Sequence, residues 1–149
     1  MVASGLLDRE AIASFLAGLP ADGRPRDGGQ LAHELVRHNR LTAYQIDEIC
    51  AGRGASLVLG NYVILDRLGQ GGMGLVLKAE HRRMERLVAI KVLSPKVIRS
   101  PAALARFQRE VKMAACLRHP NIVRAYDTPT HRYNHRGFRL ALTIPALSR

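Results

Sequence analysis

Residues Leu68-Gly69-Gln70-Gly71-Gly72-Met73-Gly74-Leu75-Val76 place four glycines within six positions, and Lys91 ends the apolar run Val88-Ala89-Ile90-Lys91 seventeen residues after Gly74. Glycines lack a Cβ, so backbone amides can come close to an anion and point N–H groups at its oxygens. A lysine at the end of an apolar run needs an anionic partner, because an unpaired buried charge is strongly unfavourable. Together, the glycines and the lysine suit a ligand carrying closely spaced negative charges, such as the phosphates of a nucleotide.

Three kinds of glycine loop do this work, and the flanking residues discriminate between them. A dinucleotide fold sets the loop at a helix N-terminus. Here Leu75-Val76-Leu77-Lys78-Ala79-Glu80 follows, which is strand-like and has no helix cap. A Walker loop needs Gly-Lys-Ser/Thr, and none follows. A strand–turn–strand flap is left, with a glycine-rich hairpin that binds nothing as the bland alternative. Glu110 is the second candidate partner for Lys91. It stands three residues after Phe107 and one before Val111, at the edge of an apolar helical stripe, and is read as facing the sheet. The bland readings are a snorkelling surface lysine and a solvated helix carboxylate.

The elements that must position these residues are legible from periodicity. Asn61–Leu68 and Leu75–Ala79 predict antiparallel strands on either side of the glycines. Leu87–Leu93 predicts a third strand whose near-continuous apolar run implies burial on both faces. Ser100-Pro101 opens a helix carrying Leu104, Phe107, Val111 and Ala114 at helical spacing. His119-Pro120-Asn121 ends it, and Ile122–Tyr126 predicts a fourth strand. Ahead of this unit, residues 1–57 predict three short helices. Asp8 caps the first, which runs to about Leu19 with Ile12, Phe15 and Leu16 on one face. Leu31, Leu35 and Val36 mark the second. Thr42 and Gln45 form a capping box for the third, with Ile46 and Ile49 inward and Gly52 and Gly54 beyond its end. The organisation is therefore α+β: a helical leader (1–57), a β-β-β-α-β unit (58–127) and a tail (128–149).

The chain has 149 residues and a formal net charge of +11. The leader carries −1, residues 58–127 carry +8, and the acid-free tail carries +4. The excess forms no dense Lys/Arg run, and aromatic residues are 5% of the chain, so a nucleic-acid surface is not indicated. Cys50 and Cys116 lie outside any CxxC spacing and read as reduced thiols of a cytoplasmic protein, Cys116 within the core. No signal peptide and no apolar run long enough to span a bilayer is present in the sequence. His131 and His135 are spaced i, i+4, but in a stretch unlike a helix and without a third ligand, so no metal site is expected. Met73 reads as a flexible apolar cover at the loop tip.

From about Leu59 to Asp127 the chain resembles the N-terminal lobe of bacterial serine/threonine protein kinases. The resemblance rests on Leu68–Val76, Val88-Ala89-Ile90-Lys91, Arg106-Phe107-Gln108-Arg109-Glu110 and His119-Pro120-Asn121-Ile122-Val123. It implies that Leu68, Gly69, Gln70, Gly71, Gly72, Met73 and Gly74 cover the phosphates of ATP and that Val76 and Ala89 line the adenine pocket. It also implies that Lys91 holds the α- and β-phosphates and that Glu110 pairs with Lys91. The segment before it resembles the leader that precedes kinase domains in planctomycete-type bacterial proteins.

The departures are as informative as the matches. The sequence contains no His-Arg-Asp, Asp-Phe-Gly or Ala-Pro-Glu segment, so the groups that orient the hydroxyl and hold magnesium in the family have no counterpart in it. After Asp127 a fifth strand and an adenine-contacting hinge are expected. Phe138–Ile144 alternates as an edge strand would, and a truncated or frame-disrupted gene is the other reading of the tail. Three functions follow as expectations. One is a kinase portion that binds ATP but transfers no phosphate by itself. The second is a nucleotide- or partner-binding pseudokinase-like module. The third is an adaptor working through its helical leader. Self-association through an exposed lobe surface is a further expectation.

Overall fold

The computed structural model describes residues 5–116, 124–127 and 139–143, and its architecture is α+β. Five α-helices are described, α1 (Arg9–Ala17), α2 (Gly28–Arg37), α3 (Ala43–Cys50), α4 (Pro95–Ile98) and α5 (Pro101–Cys116). Six strands accompany them, β1 (Val58–Leu59), β2 (Tyr62–Gly71), β3 (Gly74–His81), β4 (Arg86–Leu93), β5 (Arg124–Asp127) and β6 (Arg139–Thr143). The chain divides into two compact units, Met1–Asp66 and Arg67–Arg149, and the division falls inside β2.

In the first unit each helix begins where a short polar side chain can accept from a free backbone N–H. Asp8 accepts from Ala11 N at 2.6 Å and Asp27 from Gln30 N at 2.8 Å. Thr42 and Gln45 close the expected capping box. Gln45 does more than the box requires. Ile46 and Ile49 are half-buried, whereas Gln45 is 3% exposed, the most deeply buried residue of α3. Its Oε1 accepts from Thr42 N at 2.9 Å and its Nε2 donates to Ile64 O at 2.6 Å. The Thr42 hydroxyl donates to Leu65 O at 2.6 Å. Helix α3 thereby grips two successive carbonyls of β2, beside the pairing of β1 with β2 at Val58↔Val63 and Leu59↔Tyr62. Leu19, Leu35, Leu41, Leu57 and Ile64 are buried in this unit. On the surface after α3, Glu48 pairs with Arg53 at 2.7 Å, and that hydrogen bond and charge raise the pKa of Arg53.

In the second unit the strands lie in the order β2-β3-β4-β6-β5. Strands β3 and β4 pair antiparallel over their full lengths, from Gly74↔Leu93 to His81↔Arg86. The tail strand is real, but it is not an edge strand. Strand β6 pairs antiparallel with β4 on one side and with β5 on the other, so β5 is the edge. Neighbours in sequence need not be neighbours in a sheet, and an alternating pattern alone does not reveal which edge a strand will join.

Between β4 and α5 the chain forms α4, which the sequence reading passed over. Ser94-Pro95 repeats the cap-and-proline signature of Ser100-Pro101, and the Ser94 Oγ accepts from Val97 N. Leu93, Val97, Phe107 and Val111 form one buried cluster that seats α4 and α5 at the end of β4. Burying Phe107 and Val111 contributes about 1.5–3 kcal/mol each. Cys116, expected in the core, is exposed, as is Cys50.

Candidate functional site

The glycine segment is more regular than its composition suggests. Strand β2 runs through Gly69 to Gly71 and β3 begins at Gly74, leaving Gly72 and Met73 as a two-residue turn. The expected strand ends at Leu68 and Leu75 are thus corrected, because glycine in an extended conformation can keep pairing with a neighbour. The glycines divide into two kinds. At Gly69, Gly71 and Gly72 an added Cβ would meet nothing within 4 Å, which leaves room for a ligand to approach the backbone. Gly74 has φ +143°, and a Cβ there would run into the Val92 carbonyl and lie 2.9 Å from Ser94 N. Its requirement is internal: it lets the turn close on the end of β4.

Register gathers the other predicted residues. Val76 stands directly opposite Lys91, and Lys78 opposite Ala89. Directly opposed residues, and residues two apart on one strand, share a face. Val76, Ala89 and Lys91 therefore lie on one face of the sheet, and all three are half-buried. Leu77, Ala79, Val88 and Ile90 alternate with them and are fully buried. Over Val88–Lys91, strand β4 is thus buried on one face and half-open on the other, where burial on both faces was expected. Leu68 and Gln70 are exposed, and Met73 is half-buried.

The expected pair is not formed. No ion pair joins Lys91 to Glu110 among the described residues, and Glu110 is exposed. The cause lies in the rotation of α5. Phe107 and Val111, four residues apart, turn the buried stripe inward, and Glu110, one residue before Val111, is carried about 100° round the helix from it. Lys91 Nζ lies 3.6 Å from Met73 Sδ and 5.6 Å from the centre of the Phe107 ring instead. Sequence reasoning missed both contacts. The available signal was the place of Phe107 on the same stripe as Val111, which a helix packed on β4 brings to the lysine.

Met73 is anchored and not a loose cover. Ser94 N donates to Met73 O at 2.9 Å, and the Met73 side chain packs against the Leu93, Val97, Phe107 and Val111 cluster. Among the described residues no group of three His, Cys, Asp or Glu could hold a metal ion, and no helix is long and apolar enough to cross a membrane. His131 and His135 lie outside the described residues.

Comparison with known proteins identifies the family. The protein kinase domain family matches residues 62–138, more than half of the chain, and the match extends past Asp127, where the residue-by-residue resemblance stopped. A probable serine/threonine-protein kinase of Streptomyces coelicolor is 46% identical over 69 residues, which is 46% of this chain and 10% of that protein. Serine/threonine-protein kinase PknB of Mycobacterium leprae is 48% identical over 67 residues, 45% of this chain and 11% of that protein. The crystal structure of the PknI kinase domain of Mycobacterium tuberculosis is similar at 30% identity and a TM-score of 0.46, over 58% of this chain and 34% of that one. The chain thus spans about a tenth of the length of these curated relatives.

Proposed function

The chain belongs to the protein kinase family, as an N-terminal portion of the serine/threonine type, and from that premise we propose that it receives the phosphates of ATP between its glycine turn and Lys91. One observation carries the proposal: the half-open face of the sheet sets two apolar side chains, Val76 and Ala89, beside a lysine whose charge is met by no carboxylate among the described residues. Apolar surface suits a purine, and a cation with only weak neighbours suits an anion. The open space at Gly69, Gly71 and Gly72 lets phosphate oxygens approach the backbone. On this reading Leu68 and Gln70 flank the covering strand, Met73 marks its tip, and Glu110 reaches Lys91 only after α5 turns.

The chemistry that this chain's residues supply is binding and orientation. Phosphoryl transfer depends on groups placed around the γ-phosphate, and in the family magnesium would supply neutralisation of the phosphate charge. The described residues include no group of three His, Cys, Asp or Glu that could hold that ion. The 149-residue chain is expected to bind ATP weakly and to show no phosphotransferase activity. Titrating ATP into it by calorimetry should give weak, saturable heat, and Lys91→Ala should lower the affinity to that of adenosine. Equal affinity in the variant would overturn the proposal. In the family setting a protein substrate, a cytoplasmic location and self-association complete the reading. Exposed Leu68, Met84, Leu87 and Met113 support the last of these, and light scattering that returns a monomer at all concentrations would remove it.

A further inference from the structure

Lys91 carries a positive charge on a half-open face and must replace part of its lost hydration. The carboxylate on α5 does not do this, since Glu110 is exposed and unpaired with Lys91. Among the described residues, Nζ has the Met73 thioether at 3.6 Å and the Phe107 ring at 5.6 Å from its centre. Both are neutral and polarisable. A thioether sulfur is a weak acceptor, and the face of an aromatic ring attracts a cation through its quadrupole.

Neither group is there by chance of a mobile side chain. Phe107 is 2% exposed and belongs to the cluster that seats α5 on β4. Met73 packs on the same cluster, and its carbonyl accepts from Ser94 N. The next residue, Gly74, is pressed so closely on the Val92 carbonyl that no side chain fits. The exit of the turn is therefore tied to the end of β4, while Gly69, Gly71 and Gly72 face open space.

We propose that Met73 and Phe107 form a neutral seat for the Lys91 ammonium, with Met73 a positioning residue that holds Nζ beside the glycine turn and yields it to phosphate oxygens. A neutral seat fixes the direction of the lysine without cancelling its charge. A carboxylate in the same place would cancel much of the field that an arriving anion feels. The seat is a property of the chain without nucleotide, and only its handover to phosphate rests on the reading of Lys91 as the phosphate-gripping group.

Nuclear magnetic resonance on the 149-residue chain, with 13C in the lysine ε-carbons and methionine methyls, tests both parts. The chain has four lysines, so Lys91 is assigned by its loss in Lys91→Met. Its ε-methylene protons should lie upfield of those of Lys78, Lys96 and Lys112, because the adjoining Nζ lies over the Phe107 ring. Phe107→Leu should return them to the ordinary position, and Met73→Leu should move them while the thermal midpoint stays close to that of the parent chain. If Phe107→Leu fails to fold, Met73→Leu decides alone, since leucine keeps the packing and lacks the sulfur. Lysine signals at the ordinary position in the parent chain, or unmoved by Met73→Leu, would overturn the seat. Added ATP should shift the Met73 methyl together with the Lys91 signals. ATP that binds without moving the Met73 methyl would overturn the handover and leave the nucleotide reading intact. ATP that fails to bind, with the upfield signals present and responsive to Met73→Leu, would remove the nucleotide reading and support the seat.

Discussion

Gln45 in the first unit and Lys91 in the second are both polar side chains set among apolar ones, and they are treated in opposite ways. Both ends of the Gln45 amide are used, its oxygen on Thr42 N and its nitrogen on Ile64 O, and the residue is 3% exposed. Lys91 is half-buried, and its ammonium has a thioether and a ring for company. A polar group that serves the fold is closed by strong hydrogen bonds, because leaving it open costs stability. A group that serves a ligand is left with partners weak enough to be exchanged. The same division separates the glycines: Gly74 is required by the chain itself, and Gly69, Gly71 and Gly72 leave space beside the backbone.

Substitutions sharpen this contrast in order of expected effect. Gly74→Ala should be the most damaging. It forces a side chain onto the Val92 carbonyl at φ +143°, and urea melts should show a loss of ~3 kcal/mol or failure of the second unit to fold. Gly71→Ala, with nothing to meet, should change stability by less than about 1 kcal/mol and act instead on ATP affinity. Equal destabilisation by the two would erase the distinction between them. Gln45→Ala comes next, since it leaves the Ile64 carbonyl and the Thr42 N–H without their partners. A loss of about 2–3 kcal/mol is expected, and Thr42→Ser, which keeps the hydroxyl, should cost well under half of that. Lys91→Met should be as mild for stability as Gly71→Ala, within about 1 kcal/mol of the parent chain, because its present partners are weak. A loss for Lys91→Met as large as that for Gln45→Ala would show that the lysine serves the fold.

What was legible in the sequence was local. The Asp8 cap, the Thr42–Gln45 box and the Ser100-Pro101 start each depend on residues within one turn, and a turn's worth of sequence is enough to read them. The glycine hairpin was legible from the strand-like runs on either side of it, whereas Val76 and Ala89 were named from the resemblance, and it is the strand register that sets them on one face with Lys91. Three features were not legible. The place of β6 between β4 and β5 depends on pairing across many residues, and nothing in Phe138–Ile144 specifies its neighbours. The separation of Glu110 from Lys91 depends on how far α5 is rotated, which Phe107 and Val111 decide by packing. The second task of Gln45, holding Ile64, cannot be told from its first, since a capping box needs the same residue whether or not a strand lies beyond it.

Lys91 and the glycine turn are proposed to receive phosphate. The most direct measurement is a calorimetric series of ATP, ADP, AMP and adenosine on the 149-residue chain and on Lys91→Ala. Affinity should fall as phosphates are removed in the parent chain, and the variant should bind all four ligands alike. Affinity that is independent of phosphate number in the parent chain, or a phosphate dependence that survives in Lys91→Ala, would contradict the claim.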